Sequence, residues 1–243
     1  MGPARGDTPA KREVFIPGDA GRLEALFELP DGGADPVGGV VVAHPHPLHG
    51  GTMVQPVVHH VARACRRRGL ATLRFNFRGA GRSGGAYSGV EEYRDVQAAA
   101  GHLRAELGGG LPVALAGYSF GSVMASLAVT EGEAAAGLAL VAFPLRWEEF
   151  MPGFFTRLGE YGGPVLALCG ERDDIAPPDE VEDFLRGVGI DPTTVVIPGA
   201  DHFFGGAQES VGATVGAFLR EVCLAAGAPA VRRAWGNPPS ADC

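Results

Sequence analysis

The chain has 243 residues, 46% hydrophobic and 20% charged, with a formal net charge of −8 at pH 7. Such a length and composition predict a globular protein with a substantial core, built as one large α/β domain or two small ones. The acidic balance, with Lys11 as the only lysine, argues against nucleic acid or an anionic membrane as the main partner.

Cysteine spacing and terminal composition narrow the class of protein further. The four cysteines have no paired or C-x-x-C spacing, which indicates neither a disulfide framework nor a zinc site. No run approaches the roughly 20 apolar residues of a membrane span. The first residues, MGPARGDTPAKRE, lack the apolar centre of a secretion signal. We therefore expect a cytoplasmic protein without a nucleic-acid partner or membrane contact.

Short apolar runs alternate with longer segments of helical period between two polar tails. We expect a disordered tail over 1–12, a single domain over 13–226 and a loose tail over 227–243. The predicted strands are 13–17, 22–29, 38–44, 70–76, 111–116, 137–142, 164–169 and 193–197. The predicted helices are 53–68, 91–107, 120–131, 178–187 and 208–225. Strands that alternate with helices and are apolar at every position predict a parallel sheet covered on both faces.

The stretch AGYSFGS places one hydroxyl between a predicted strand and a predicted helix. Ser119 lies between Gly117 and Gly121, the G-x-S-x-G pattern of a sharp turn that presents a nucleophilic serine. In a parallel sheet such a turn lies beyond the carboxyl end of a strand, where active groups gather. An ordinary glycine-rich loop has the same short pattern, so the rest of the chain must discriminate between the two.

A serine needs a base, and the base needs a carboxylate that orients it. His202 is the only histidine after Ser119, and it follows the last predicted strand. The preceding strand ends in CGERDD, where we assign the acid to Asp173, with Asp174 as the alternative. Asp201 adjoins the histidine but is expected to cap its own turn. Three strand ends thus supply serine, acid and base in the order typical of this turn.

Acyl transfer also needs N–H donors for the oxyanion of the tetrahedral intermediate. The Phe120 amide follows the nucleophile and is the first candidate. The second should come from the loop after the third strand, which reads HPHPLHGGT. Because proline has no N–H, Pro45 and Pro47 are excluded. The amide of His46 is then the first available donor, and that of Leu48 is the next.

The same loop carries three histidines, which raises a metal site as a rival interpretation. His44 and His46 point the same way in an extended segment, and His49 follows. No carboxylate or cysteine lies nearby to complete a ligand shell, so we predict no metal. A hydrogen-bonded position beneath the loop is expected for His44.

With these residues in place, the chain resembles the α/β-hydrolases, and more narrowly the small bacterial hydrolases related to dienelactone hydrolase. The resemblance is carried by HPHPLHGGTM (44–53), LRFNFRGAGRSGG (73–85), AGYSFGS (116–122), CGERDD (169–174) and PGADHFF (198–204). It implies an α/β-hydrolase fold, with an eight-stranded, mostly parallel sheet flanked by helices. It also implies a catalytic triad and an oxyanion hole, formed by Ser119, Asp173 and His202 and by the amides of His46 and Phe120. Dienelactone hydrolases use cysteine as nucleophile, so their substrate does not carry over.

A short insert, FPLRWEEFMPGFFTRLGEYGG (143–163), stands where many α/β-hydrolases carry a large lid. We therefore expect no large lid domain. The insert is rich in aromatic residues, which favours either a small hydrophobic flap over the pocket or ordinary core packing. The expected pocket walls are Leu48, His49, Phe203, Trp147 and Phe154.

These residues predict a serine hydrolase that cleaves an ester or related acyl bond of a small apolar substrate. We expect it to act as a monomer or homodimer on a small-molecule acyl substrate, without a cofactor or metal. Thioester hydrolysis, acyl transfer and cyclisation use the same triad and remain alternatives. A binding protein that retains the fold without catalysis is the alternative from another class.

Overall fold

A computed structural model describes residues 10–146, 152–155 and 157–227. Within these ranges, eight strands form one sheet in the order β1-β2-β4-β3-β5-β6-β7-β8. The strands are β1 (Lys11–Gly18), β2 (Gly21–Glu28), β3 (Gly38–Ala43), β4 (Leu70–Phe75), β5 (Val113–Tyr118), β6 (Leu138–Val141), β7 (Val165–Gly170) and β8 (Thr193–Ile197). β1 pairs antiparallel with β2, and β2 pairs antiparallel with β4. From β4 across the sheet to β8, each pair of neighbouring strands is parallel.

The described ranges contain five α-helices, namely α1 (Pro56–Arg66), α2 (Tyr93–Glu106), α3 (Phe120–Thr130), α4 (Pro178–Gly187) and α5 (Gln208–Gly227). Of these, α1 to α4 lie on connections between parallel strands, and α5 follows β8. Every predicted strand and helix is confirmed, with ends that differ by at most three residues. The first strand begins at Lys11, two residues before its predicted start, since an edge strand tolerates charged side chains.

Helix α5 packs closely on α1 because it carries glycines at the contact. A Cβ at Gly212 would lie 2.6 Å from the carbonyl oxygen of His60, and one at Gly216 would lie 3.0 Å from the carbonyl carbon of Ala64. By length and composition alone, α5 is apolar enough to cross a membrane. In this fold its apolar side, which includes Val215 and Leu219, is buried.

The central strands are buried along their whole length, as two-sided coverage by helices requires. Their apolar side chains join those of α1, α2, α3 and α5 in one core cluster. The parallel strands all end at the same edge of the sheet. The loops that follow β3, β5, β7 and β8 therefore meet at this edge, where the predicted site residues lie.

Two aromatic residues of the insert between β6 and β7 belong to the core. Phe143 and Phe155 are fully buried, and each makes a ring contact with Phe184 of α4. Short 3-10 turns at 152–155 and 158–161 connect them to β7. For these two aromatic residues, core packing is therefore correct and the flap interpretation is wrong.

Candidate active site

The turn after β5 holds Ser119 in a strained backbone conformation. Its φ of 52° and ψ of −119° lie where non-glycine residues are uncommon. The Ser119 N–H donates to the carbonyl oxygen of Val141 on β6 at 2.8 Å, and Ser119 immediately precedes α3. The neighbouring strand thus fixes the turn, and the side chain projects into the cavity at the sheet edge.

Steric crowding explains the two glycines that flank Ser119. A Cβ on Gly117 would lie 2.1 Å from the carbonyl oxygen of Gly121, and one on Gly121 would lie 2.5 Å from the carbonyl oxygen of Ala43. Separations below 3.0 Å are not tolerated by backbone atoms. The glycines therefore permit the sharp turn against β3, and the stretch is not an ordinary glycine-rich loop.

Three side chains from three strand ends form a hydrogen-bonded chain. The Ser119 Oγ lies 2.9 Å from Nε2 of His202. The other ring nitrogen, Nδ1, lies 2.9 Å from Oδ2 and 3.0 Å from Oδ1 of Asp173. A carboxylate accepts at Nδ1, so that nitrogen carries a hydrogen and Nε2 is left to accept the Ser119 proton.

The carboxylate of Asp173 is itself held in place. It is buried, and Oδ1 accepts hydrogen bonds from the amides of Ile175 at 3.0 Å and Ala176 at 2.8 Å. Asp174, the alternative acid, is exposed to solvent. Asp201 accepts a hydrogen bond from the Phe203 amide at 3.0 Å, which is the turn-capping contact expected for it.

Tyr118 fixes the loop that carries His202, and the sequence did not point to it. Its hydroxyl donates to the carbonyl oxygen of His202 at 2.9 Å. Burial raises the pKa of this tyrosine, so the hydroxyl stays protonated and remains a donor. The two residues are 84 positions apart in the chain, and no local sequence pattern predicts a contact over such a distance.

The two amides predicted to bind an oxyanion belong to residues on the cavity wall. Phe120 is the first residue of α3, so its amide lies at the positive end of the helix dipole. His46 precedes a 3-10 turn at 47–49. The amide of Leu48, which was the next candidate, donates instead to Nδ1 of His46 at 3.2 Å. Of the amides of His46 and Leu48, that of His46 therefore remains the candidate for the second oxyanion donor.

His44 occupies the expected hydrogen-bonded position beneath the loop. Its Nε2 accepts from the amide of Phe77 at 3.0 Å, so Nδ1 is the donor to the carbonyl oxygen of Pro45 at 2.6 Å. The side chain is fully buried, and burial lowers the pKa of His44 from 6.5 to about 4. The neutral ring thus ties the loop after β3 to the loop after β4.

The far end of the same loop is held by two buried side chains of the β4 end. Asn76 Oδ1 accepts from the Met53 amide at 2.8 Å, and Arg74 Nη1 donates to the Met53 carbonyl oxygen at 3.0 Å. Carboxylates orient both groups, Glu24 for Asn76 and Glu28 for Arg74, each at 2.8 Å. The loop from His44 to Met53 is therefore anchored at both ends.

The loops at the strand ends surround a cavity of about 610 Å³. Of the predicted wall residues, Leu48, His49 and Phe203 line it, together with Ser119 and His202. Residues that the sequence did not indicate also line it, namely Gln55, Pro56, Val57, Pro144, Arg146, Ile175 and Gln208. Trp147 lies outside the described residues. Phe154 belongs to a short 3-10 turn, and its side chain also lies outside them.

Comparison with known proteins gives the family. The family model described as an alpha/beta hydrolase domain matches residues 38–228. An alpha-beta serine hydrolase homologue from Coxiella burnetii is 33% identical, covering 89% of this chain and 97% of its own, with a TM-score of 0.72. A serine hydrolase without a lid from Xanthomonas campestris is 29% identical, covering 88% of this chain and 96% of its own, with a TM-score of 0.75.

A curated relative extends these similarities without adding an activity. An uncharacterized protein of Rickettsia prowazekii is 28% identical over 198 residues, which are 79% of this chain and 82% of the relative. The eight-stranded fold, the matched domain and the likeness to a lidless serine hydrolase agree with one another. The chain belongs to the alpha/beta hydrolase family.

Proposed function

We propose that the protein is a serine hydrolase that cleaves an ester, or a related acyl bond, of a small apolar substrate. The observation that carries this proposal is the hydrogen-bonded chain from Ser119 Oγ through the ring of His202 to Asp173. A hydroxyl in contact with an oriented imidazole is an activated nucleophile. Its position in a pocket lets it reach a bound acyl group.

In the first half-reaction, Ser119 Oγ attacks the acyl carbonyl carbon while Nε2 of His202 takes the hydroxyl proton. The carbonyl π electrons move to oxygen, and a tetrahedral oxyanion forms. When the oxyanion collapses, the bond to the leaving oxygen breaks and His202 returns the proton to that oxygen. The products are an alcohol and an ester of Ser119. Asp173 stabilises the imidazolium that exists between the two proton transfers.

In the second half-reaction, water repeats these steps. Nε2 of His202 takes a proton from water as its oxygen attacks the acyl carbon of the Ser119 ester. A second oxyanion forms and collapses, the bond to Ser119 Oγ breaks, and His202 protonates Oγ. A carboxylic acid leaves and the enzyme is regenerated. The same chemistry accepts a thioester, in which sulfur replaces the leaving oxygen.

The amides of His46 and Phe120 stabilise each oxyanion in this proposal. Preorganised N–H donors act where negative charge develops, and loss of one such donor costs about 10²–10³-fold in kcat. The α3 N-terminus contributes its dipole at the Phe120 amide. The prolines at 45 and 47 restrict the loop that carries His46, which favours a donor fixed before substrate binds.

The cavity supports a small substrate with an apolar acyl chain. Its volume of about 610 Å³ lies in the range typical of small-molecule sites, roughly 300–1,000 Å³. Leu48 and Phe203 line it with 66% and 69% of their surface exposed, so a bound acyl chain can still bury much apolar surface there. Each methylene of the acyl chain that becomes buried should strengthen transition-state binding by about 0.8 kcal/mol. The kcat/KM for aryl esters should rise from acetyl to butyryl or hexanoyl and then fall.

The test combines labelling with turnover. A fluorophosphonate probe should label the wild-type protein, and aryl esters should be hydrolysed. The Ser119→Ala variant should remain folded by circular dichroism, lose labelling, and lose about a million-fold in kcat, by analogy with subtilisin. Turnover near wild type in this variant contradicts the assignment of the nucleophile. A folded wild-type protein that is neither labelled nor active indicates the binding-protein alternative.

A further inference from the structure

Tyr87 contacts both residues whose amides are proposed to bind the oxyanion. Its hydroxyl lies 2.9 Å from Nε2 of His46. Its ring centroid is 5.0 Å from that of His46 and 5.9 Å from that of Phe120. Tyr87 belongs to the loop between β4 and α2, so a third chain segment reaches the two donor residues.

The hydrogen bonds of His46 fix the state of its ring. The Leu48 amide can only donate, so Nδ1 of His46 is the acceptor in that contact and carries no hydrogen. The neutral ring then carries its hydrogen on Nε2 and donates it to the Tyr87 hydroxyl oxygen. The Leu48 amide therefore sets the tautomer of the His46 ring, and the Tyr87 hydroxyl helps to hold the orientation of that ring.

The orientation of this ring is coupled to the His46 peptide. One face of the ring stacks on His49, with centroids 4.5 Å apart, and the ring also packs 5.0 Å from Phe120. The carbonyl oxygen of His46 accepts from the amides of His49 at 3.1 Å and Gly51 at 3.0 Å. A rotated ring would lose the bond to Leu48 and would disturb the tight turn that holds this peptide.

We propose that Tyr87 is a positioning residue for the oxyanion hole. Its hydroxyl holds the ring of His46, and its ring packs on Phe120, so it sets the spacing between the two amides. It does not touch the reacting atoms in this role. The proposal rests on the proposed function, in which an oxyanion forms at the carbonyl of the acyl substrate.

The experiment compares Tyr87→Phe with Tyr161→Phe. The first variant keeps the ring and removes the hydroxyl. The second removes a hydroxyl that donates to the carbonyl oxygen of Ala135 at 3.2 Å and does not line the cavity. We expect Tyr87→Phe to lower kcat about tenfold, less than the loss of a donor itself, with KM within about twofold of wild type. Tyr161→Phe should leave both constants near wild type.

A second readout separates positioning from a general loss of structure. A boronic acid that adds to Ser119 carries a tetrahedral, negatively charged centre and needs the oxyanion hole. Its Ki should rise in Tyr87→Phe by the same factor as kcat/KM falls. A substrate analogue without an electrophilic centre should bind as in wild type. The Tm should fall no further than in Tyr161→Phe.

The possible outcomes distinguish a failure of the role of Tyr87 from a failure of the proposed hydrolase function. If wild type is active and labelled, and Tyr87→Phe matches Tyr161→Phe in kcat and Ki, the role of Tyr87 is overturned alone. If Tyr87→Phe instead raises KM at unchanged kcat, Tyr87 contacts substrate and positioning is again overturned. If folded wild type is neither labelled nor active, the proposed function and the role of Tyr87 are both overturned.

Discussion

The turns at the strand ends and the insert between β6 and β7 both reach the cavity, but different forces hold them. The turn at Ser119, the turn at Asp173 and the loop from His44 to Met53 are fixed by hydrogen bonds from buried polar groups. In the insert, Phe143 and Phe155 are held by packing of their rings against each other.

The difference shows in the side chains that each region gives to the cavity. The strand-end turns present Ser119 and His202 at defined distances from each other. Of the described insert residues, Pro144 and Arg146 line the cavity, while the aromatic rings of Phe143 and Phe155 point into the core. Directional hydrogen bonds fix the position of a polar atom to within tenths of an ångström. Apolar packing fills space in the core without directing a single atom in this way. Catalysis should depend on the turns and stability on the insert.

Among changes that keep the nucleophile, the largest expected effect is on turnover, from Asp173→Asn. The amide keeps the oxygen that accepts from Ile175 and Ala176, so the turn should fold normally. Its NH₂ group, however, donates toward Nδ1 of His202 and forces the hydrogen onto Nε2. We expect kcat to fall about 10⁴-fold in ester hydrolysis, as for the corresponding change in a serine protease.

Asp174→Asn is the matched control, since this exposed neighbour makes no contact with His202 among those described. It should retain kcat close to wild type. A larger loss in Asp174→Asn than in Asp173→Asn would assign the acid to Asp174 and contradict the geometry.

The next two variants distinguish a core residue of the insert from a residue of the cavity wall. Phe155→Ala should lower the free energy of unfolding by about 3–5 kcal/mol, because it leaves a void beside Phe143 and Phe184. The dependence of kcat/KM on acyl length should not change. Phe203→Ala should leave stability within about 1 kcal/mol, since the ring is largely exposed, and should shift the preferred acyl length.

Urea unfolding and a series of aryl esters measure these two properties on the same preparations. A changed acyl-length profile in Phe155→Ala, with the profile of Phe203→Ala unmoved, would reverse the assignment of core and wall. The sequence predicts that Trp147 lines the pocket. Trp147→Ala tests this prediction with the same esters, and the preferred acyl length should shift toward longer chains.

The smallest effect concerns pH and the anchor of the loop after β3. The pKa of His44 is lowered by burial to about 4, against 6.5 in the unfolded chain. Between these values the unfolded chain binds a proton and the folded chain does not, so stability is complete above pH 6.5 and falls as pH falls. The shift corresponds to about 3 kcal/mol.

The control is His44→Gln, which keeps an acceptor for the Phe77 amide but does not titrate. Urea unfolding at pH 7 and pH 4.5 should show a steeper loss in wild type than in the variant. Equal losses would mean that His44 does not remain neutral in the fold, and the loop anchor would need another explanation.

Much of this protein could be predicted from the sequence because the relevant patterns are local. Uninterrupted apolar runs such as Gly39–Ala43 predict buried strands, and Gly117 and Gly121 predict the sharp turn at Ser119. The order of Ser119, Asp173 and His202 follows from strand ends that share one edge of a parallel sheet. Periodicity and turn chemistry are properties of neighbouring residues, so a single chain is enough to find them.

Only the tertiary structure decided which distant groups meet. Tyr87 and His46 are 41 positions apart, and their contact depends on how the loops after β3 and β4 cross the sheet edge. The sequence also could not assign the aromatic residues of the insert, since Phe155 has the same hydrophobicity whether it faces core or cavity. Strand order and packing determine such contacts, and both arise from the whole fold rather than from any segment of the chain.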